Sequence, residues 1–108
     1  MLAPKLYRVM DDLINCESGG LETALNPSDT DFLPSFGILQ FRPETLLSQG
    51  VKYGILSKDT ELADVRNRIY EGGLQVNVAL KMVEKGMNSR VFWASQFPGC
   101  SRRYGYWQ

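Results

Sequence analysis

The stretch Pro4-Lys5-Leu6-Tyr7-Arg8-Val9-Met10-Asp11-Asp12-Leu13-Ile14-Asn15-Cys16-Glu17-Ser18-Gly19-Gly20 decides how the chain folds. Leu6, Met10 and Leu13 step by four and then three, which puts them on one face of an amphipathic helix, and Pro4 suits a first helical turn where its missing N–H costs nothing. Continuing the stripe by four reaches Glu17. Burying a carboxylate is costly, so a glutamate at the core-facing end of a helix is expected either to find a partner or to hold its proton to higher pH than usual. The plainer alternative is a side chain that turns outward at a frayed last turn. Gly19 and Gly20 supply the left-handed conformations that end a helix.

Outward from this helix, residues 21–36 carry Asn26, Pro27, Ser28, Asp29, Asp31, Pro34 and Ser35. That composition favours turns and shows no sustained period, so it reads as a long ordered loop. Gly37-Ile38-Leu39-Gln40-Phe41 is a compact apolar segment with one polar residue inside it. Pro43 and Glu44 then open a short helix toward Leu46 and Leu47, which Gly50 is expected to end. Asp59 or Thr60 is placed to cap a helix through Leu62, Val65 and Ile69. Leu74, Val78, Met82 and Val83 mark another that stops at Gly86, and Asn88 or Ser89 caps a last one carrying Val91, Phe92 and Trp93 up to Pro98. The expected architecture is mostly α, a single domain over residues 1–108 with a long irregular loop after its first helix.

Composition agrees with one core: 108 residues, 44% hydrophobic and 22% charged, fit one compact domain. Twelve Lys and Arg balance twelve Asp and Glu, so there is no overall basic field to attract nucleic acid. The absence of histidine excludes Ser-His-Asp and Cys-His catalysis and most zinc sites, leaving carboxylates for proton transfer near neutral pH. The neutral total hides an asymmetry: residues 1–72 hold seven bases and eleven acids, residues 73–108 five bases and one acid. The basic third either faces an anionic partner or attracts the acidic remainder. Lys5, Arg8, Asp11 and Asp12 interrupt any apolar signal-peptide core, and no stretch approaches the roughly 20 apolar residues of a membrane span. That suits an excised domain, a mature form or a phage product released by lysis. Cys16 and Cys100 either form one disulfide closing a long loop or stay unpaired.

The order Glu17-Ser18-Gly19, Asn26-Pro27, Ser35-Phe36-Gly37-Ile38-Leu39-Gln40-Phe41 and Thr45 resembles the lysozyme-like domain of soluble lytic transglycosylases and goose-type lysozymes, closely over about residues 10–48 and loosely beyond. The resemblance implies an all-helical lysozyme-like fold that cleaves the glycosidic bond between N-acetylmuramic acid and N-acetylglucosamine in peptidoglycan. It implies work in the cell wall, the periplasm or outside the cell, as a monomer on glycan strands, with no cofactor, metal, nucleic acid or membrane span. Glu17 matches the family's catalytic acid and Gln40 the glutamine that lines its cleft, with Ser18, Ser35 and Phe36 beside them as substrate-binding candidates. Phe36 stands where many lytic transglycosylases have a serine, and Ser35 sits one place earlier. The family's late Ala-Tyr-Asn segment has its nearest equivalent in Phe92-Trp93-Ala94-Ser95-Gln96, which makes Trp93 a candidate sugar platform, with Tyr70 and Tyr104 as alternatives.

An inverting hydrolase needs a second carboxylate to activate water, whereas a lytic transglycosylase uses the sugar's own C6 hydroxyl and one Glu as acid and then base. Asp29 and Asp31 are the candidates for that second carboxylate. Their Asn, Pro and Ser neighbours already explain them as turn formers. The reading is a muramidase, transglycosylase before hydrolase, with two alternatives outside catalysis: an idle lysozyme-like module that binds glycan or protein, or a helical interaction domain. The aromatics Phe36, Phe41, Tyr53, Trp93, Tyr104, Tyr106 and Trp107 offer faces to sugars, but core packing is the commoner task of each. The cluster Tyr104-Gly105-Tyr106-Trp107 must dock on the body or form an exposed patch, and Arg102 and Arg103 beside it either meet anionic wall polymers or, the plainer reading, solvate the tail.

Overall fold

The computed structural model describes residues 3–27 and 34–106. The first helix, α1, runs Ala3–Ser18 and buries Leu6, Val9, Met10 and Leu13, the expected stripe widened by Val9. It stops at Gly19 and Gly20, both with left-handed backbone, φ 65° and 86°. Residues 21–36 are not wholly irregular: β1 (Leu25–Asn26) pairs antiparallel with β2 (Ser35–Phe36), Leu25 opposite Phe36 and Asn26 opposite Ser35. Strands of two residues are too short to show the alternation that marks a strand in a sequence. Phe36 also bridges Phe41, so that residues 37–40 form a tight turn.

Next, α2 runs Pro43–Lys52 and continues past Gly50. That glycine is there for space, since a Cβ on it would lie 2.6 Å from Leu56 Cδ1. The third helix, α3 (Leu62–Asn67), is capped by Glu61, not by Asp59 or Thr60, in a reciprocal pair with Asp64. It ends before Ile69. The long α4 (Gly72–Gly86) buries Leu74, Val78, Ala79, Met82 and Val83, and α5 (Arg90–Ser95) starts as expected at Ser89, whose Oγ accepts from Phe92 N at 3.2 Å. A sixth helix, α6 (Pro98–Tyr104), was not expected; its seven residues hold no apolar period to announce it.

The packing places α4 and α6 against α1, α3 and α4 against α2, and α5 against α6. Two links fix α6 and the chain just after it to α1. Cys16 and Cys100 form a disulfide with their Cα atoms 5.9 Å apart, and the Tyr106 hydroxyl donates to the Asp12 carboxylate. Tyr104 and Tyr106 therefore dock on the body, their rings stacked 5.9 Å apart; Trp107 lies outside the described residues. Trp93 is a core residue, 1% exposed, with its indole N–H donated to Met87 O at 2.8 Å and its ring against Phe92 and Tyr106. Among the described residues no helix is long and apolar enough to cross a membrane.

Candidate active site

A cleft of about 620 Å³ opens between the end of α1, the turn before α2, and the α5–α6 region. Glu17 lines it from the last turn of α1, half-buried, and both of its chain neighbours are held. Cys16 is tied covalently to α6. Ser18 Oγ lies 2.6 Å from Ile38 O and 3.2 Å from Ile14 O, and it accepts from Gly20 N at 3.1 Å. A hydroxyl has one proton to give, and the shorter contact to Ile38 takes it. The end of the helix is thereby stitched to the turn that carries Gln40.

That turn is held from beneath by Gln75 of α4, which is fully buried. Its Oε1 accepts from Leu39 N at 2.9 Å, and its Nε2 donates to Phe36 O at 2.9 Å and Ile69 O at 2.6 Å. Every polar atom of this buried amide is satisfied, and the Leu39 N–H of the turn is satisfied with it. Gly37 makes the arrangement feasible twice over: its φ is 83°, and a Cβ there would lie 2.4 Å from Gln75 Nε2. Above it, Gln40 donates from Nε2 to Gly37 O at 2.9 Å and Ala24 O at 3.2 Å, joining the turn to the chain entering β1.

Backbone strain gathers at the cleft. Among the described residues only Gln40 (φ 55°) and Phe97 (φ 51°) are non-glycines with left-handed backbone, and both line it. Phe97 precedes Pro98, a position already restricted in conformation. Its ring meets Phe41 edge to face, 6.1 Å between centroids, so the two sides of the cleft touch through aromatic packing. Such costs, of order 1–3 kcal/mol each, persist where the surroundings over-determine the backbone and collect at functional sites.

The charge pattern is simple. Among the described residues lining the cleft, Glu17 is the one carboxylate, and Arg42 and Arg103 are the two cations. No group of three or more His, Cys, Asp or Glu among the described residues is placed to hold a metal ion.

No protein-family model, curated protein or solved structure matches this chain.

Of the residues singled out from sequence, Glu17, Ser35, Gln40 and Thr45 come together around the cleft, with the bonded Cys16 and Cys100 in its wall. Ser18 does not line it; its hydroxyl is spent inward on the Ile38 carbonyl, so it holds the site in place instead of facing a ligand. Phe36 turns to a second cavity of about 460 Å³, where its ring meets Tyr70 edge to face at 5.8 Å. Trp93 is removed from the list by its burial. Asp29 and Asp31 lie outside the described residues. Of the pair Arg102 and Arg103, read as meeting an anionic polymer or solvating the tail, Arg103 lines the cleft. Gln75 and Phe97 escaped sequence reasoning. Only Gln75 left a signal, a polar residue beside Leu74 and three before Val78 on the inward stripe of α4.

Proposed function

We propose that the chain is a muramidase with a lysozyme-like fold that cleaves peptidoglycan between N-acetylmuramic acid and N-acetylglucosamine, by transglycosylation. The observation that carries this reading is the meeting of Glu17 with Gln40, Ser35 and Thr45 around one cleft in which, among the described residues, Glu17 is the sole acid. These are the residues on which the family resemblance rests.

The chemistry follows from one carboxyl. A glycosidic oxygen is a poor leaving group, so the Glu17 carboxyl gives it a proton as the bond from the muramic C1 breaks. The resulting carboxylate then takes the proton of the same sugar's C6 hydroxyl while that oxygen bonds to C1, leaving a 1,6-anhydro end and restoring the acid. An intramolecular nucleophile is already held beside the reacting carbon, so no second carboxylate has to position water. Gln40, with its amide nitrogen committed to Gly37 O and Ala24 O, offers its amide oxygen to the N–H of a sugar acetamide.

Mass spectrometry of digested cell walls tests the reading. Anhydro ends are expected from the wild-type protein, and Glu17→Gln, which keeps the shape and removes the proton, should lower release at least about a hundredfold while the fold persists. Near-normal release by a folded Glu17→Gln protein overturns the assignment of the acid. Reducing ends that disappear in Asp29→Asn or Asp31→Asn would make it a hydrolase.

A further inference from the structure

A cleft for an uncharged polysaccharide has no use for a fixed cation, yet Arg103 lines this one. Among the described residues its guanidinium has no carboxylate partner; its contact is the Tyr104 ring, 5.9 Å away. Its position relative to Glu17 is set by short, stiff links. Arg103 follows Cys100 by one helical turn of α6, Cys100 is bonded to Cys16, and Cys16 adjoins Glu17. Tyr104 stacks on Tyr106, which is anchored to Asp12 of α1. Favourable interaction with the carbonyl end of α6 is the bland account of a basic residue there, but Arg102 has that role available too and does not line the cleft.

We propose that Arg103 is a specificity-determining residue that binds a carboxylate on the 3-O-lactyl arm of muramic acid. This rests on the muramidase reading of the cleft. The sugar rings, hydroxyls and acetamides of such a glycan are uncharged. Its carboxylates sit on the lactyl arm, either the arm's own or those of a peptide joined to it. Chitin has the same β-1,4 linkage and acetamides and lacks the arm, so a guanidinium on the cleft wall separates the two polymers by charge. A planar guanidinium suits a carboxylate because it donates two parallel hydrogen bonds.

The test is calorimetric binding to the full-length Glu17→Gln protein with its disulfide intact, at two salt concentrations. Three ligands are compared: N-acetylchitotetraose, the peptide-free tetrasaccharide of alternating N-acetylglucosamine and N-acetylmuramic acid, and that tetrasaccharide carrying peptides. Adding Arg103→Ala should weaken at least one muramic ligand by about tenfold, most at low salt, and change chitotetraose less than about twofold. The ligand that loses affinity identifies the carboxylate as the arm's own or the peptide's. Arg103→Lys should recover part of the loss, and Arg102→Ala should change no ligand more than about twofold. Equal loss on all three ligands, no loss on either muramic ligand, or an equal loss from Arg102→Ala overturns the proposal. Wall cleavage by the wild-type protein is read separately. A chain that binds muramic ligands through Arg103 and releases no product loses the catalytic reading and keeps this one; cleavage with Arg103-independent binding does the reverse.

Discussion

Gln75 and Gly37 fit each other as a plug fits a socket, and their substitution separates two costs. Gln75→Leu keeps roughly the volume but strands Leu39 N–H and the Ile69 carbonyl away from water, while Phe36 O keeps its bond from Phe41 N at 3.0 Å. Each unpaired buried group costs about 1–3 kcal/mol, so urea denaturation should show a loss of about 2 kcal/mol or more. A change under about 1 kcal/mol would mean that water replaces the amide. Gly37→Ala leaves the hydrogen-bonding groups alone, but puts a Cβ into the Gln75 amide on a backbone of φ 83°. Left-handed backbone alone disfavours an L side chain by about 1–2 kcal/mol, and the overlap adds to it, so a loss above about 2 kcal/mol is expected in the same measurement. Since this turn presents Gln40, wall cleavage should fall further than the unfolded fraction explains.

Helix ends provide sharper tests than helix middles. Ser89→Ala removes the oxygen that accepts from Phe92 N at the start of α5 and should lower stability by about 1 kcal/mol in urea, with Asn in its place nearly neutral. The tie beyond α6 is pH-dependent. Burial first, then the hydrogen bond to Asp12 and that residue's charge, hold the Tyr106 phenol well above its ordinary 10.0. The folded protein therefore keeps this proton to higher pH than the unfolded chain. The contribution is complete below about pH 10 and is lost as pH climbs beyond it. Thermal melts from pH 8 to 11 should show Tyr106→Phe less stable than wild type at pH 8, with the gap narrowing toward pH 11; a constant gap refutes the linkage. The elements themselves were mostly readable beforehand. The three-and-four spacing in α1 and α4 holds in the folded chain because each buries a long apolar face, and Ser89 caps α5 because its hydroxyl has the right reach. The two-residue strands and α6 left no such trace, being shorter than the periods by which a pattern is recognised. Glu17 was reached twice, by motif and by the helical stripe. Arg102 and Arg103 are legible as a pair that meets an anionic polymer or solvates the tail, but nothing local in Ser101-Arg102-Arg103 says which side chain meets a cleft whose opposite wall lies more than eighty positions away.

For the whole molecule the disulfide is the decisive bond, since it joins positions separated by 84 residues. Closing a loop of that size restricts the unfolded chain and contributes about 2–4 kcal/mol. Reduction, or Cys16→Ser with Cys100→Ser, should lower the midpoint of urea unfolding accordingly. Wall cleavage should fall under reductant concentrations that leave the far-ultraviolet circular dichroism unchanged, because α6 loses its covalent hold on α1 beside Glu17 before α1 and α4 separate. Activity and helicity lost together would show that the bond serves the whole fold and not the cleft in particular.

The same separation sets an order in time. A ribosome that has made Glu17 must add the residues of α2, α3, α4 and α5 before Cys100 exists to meet Cys16, and the guanidinium of Arg103 comes three residues later still. Throughout that interval the nascent polypeptide carries Glu17 with no wall facing it. The cleft is complete only once α6 has been made, and products of interrupted translation that stop ahead of Ser95 lack every residue of its far side.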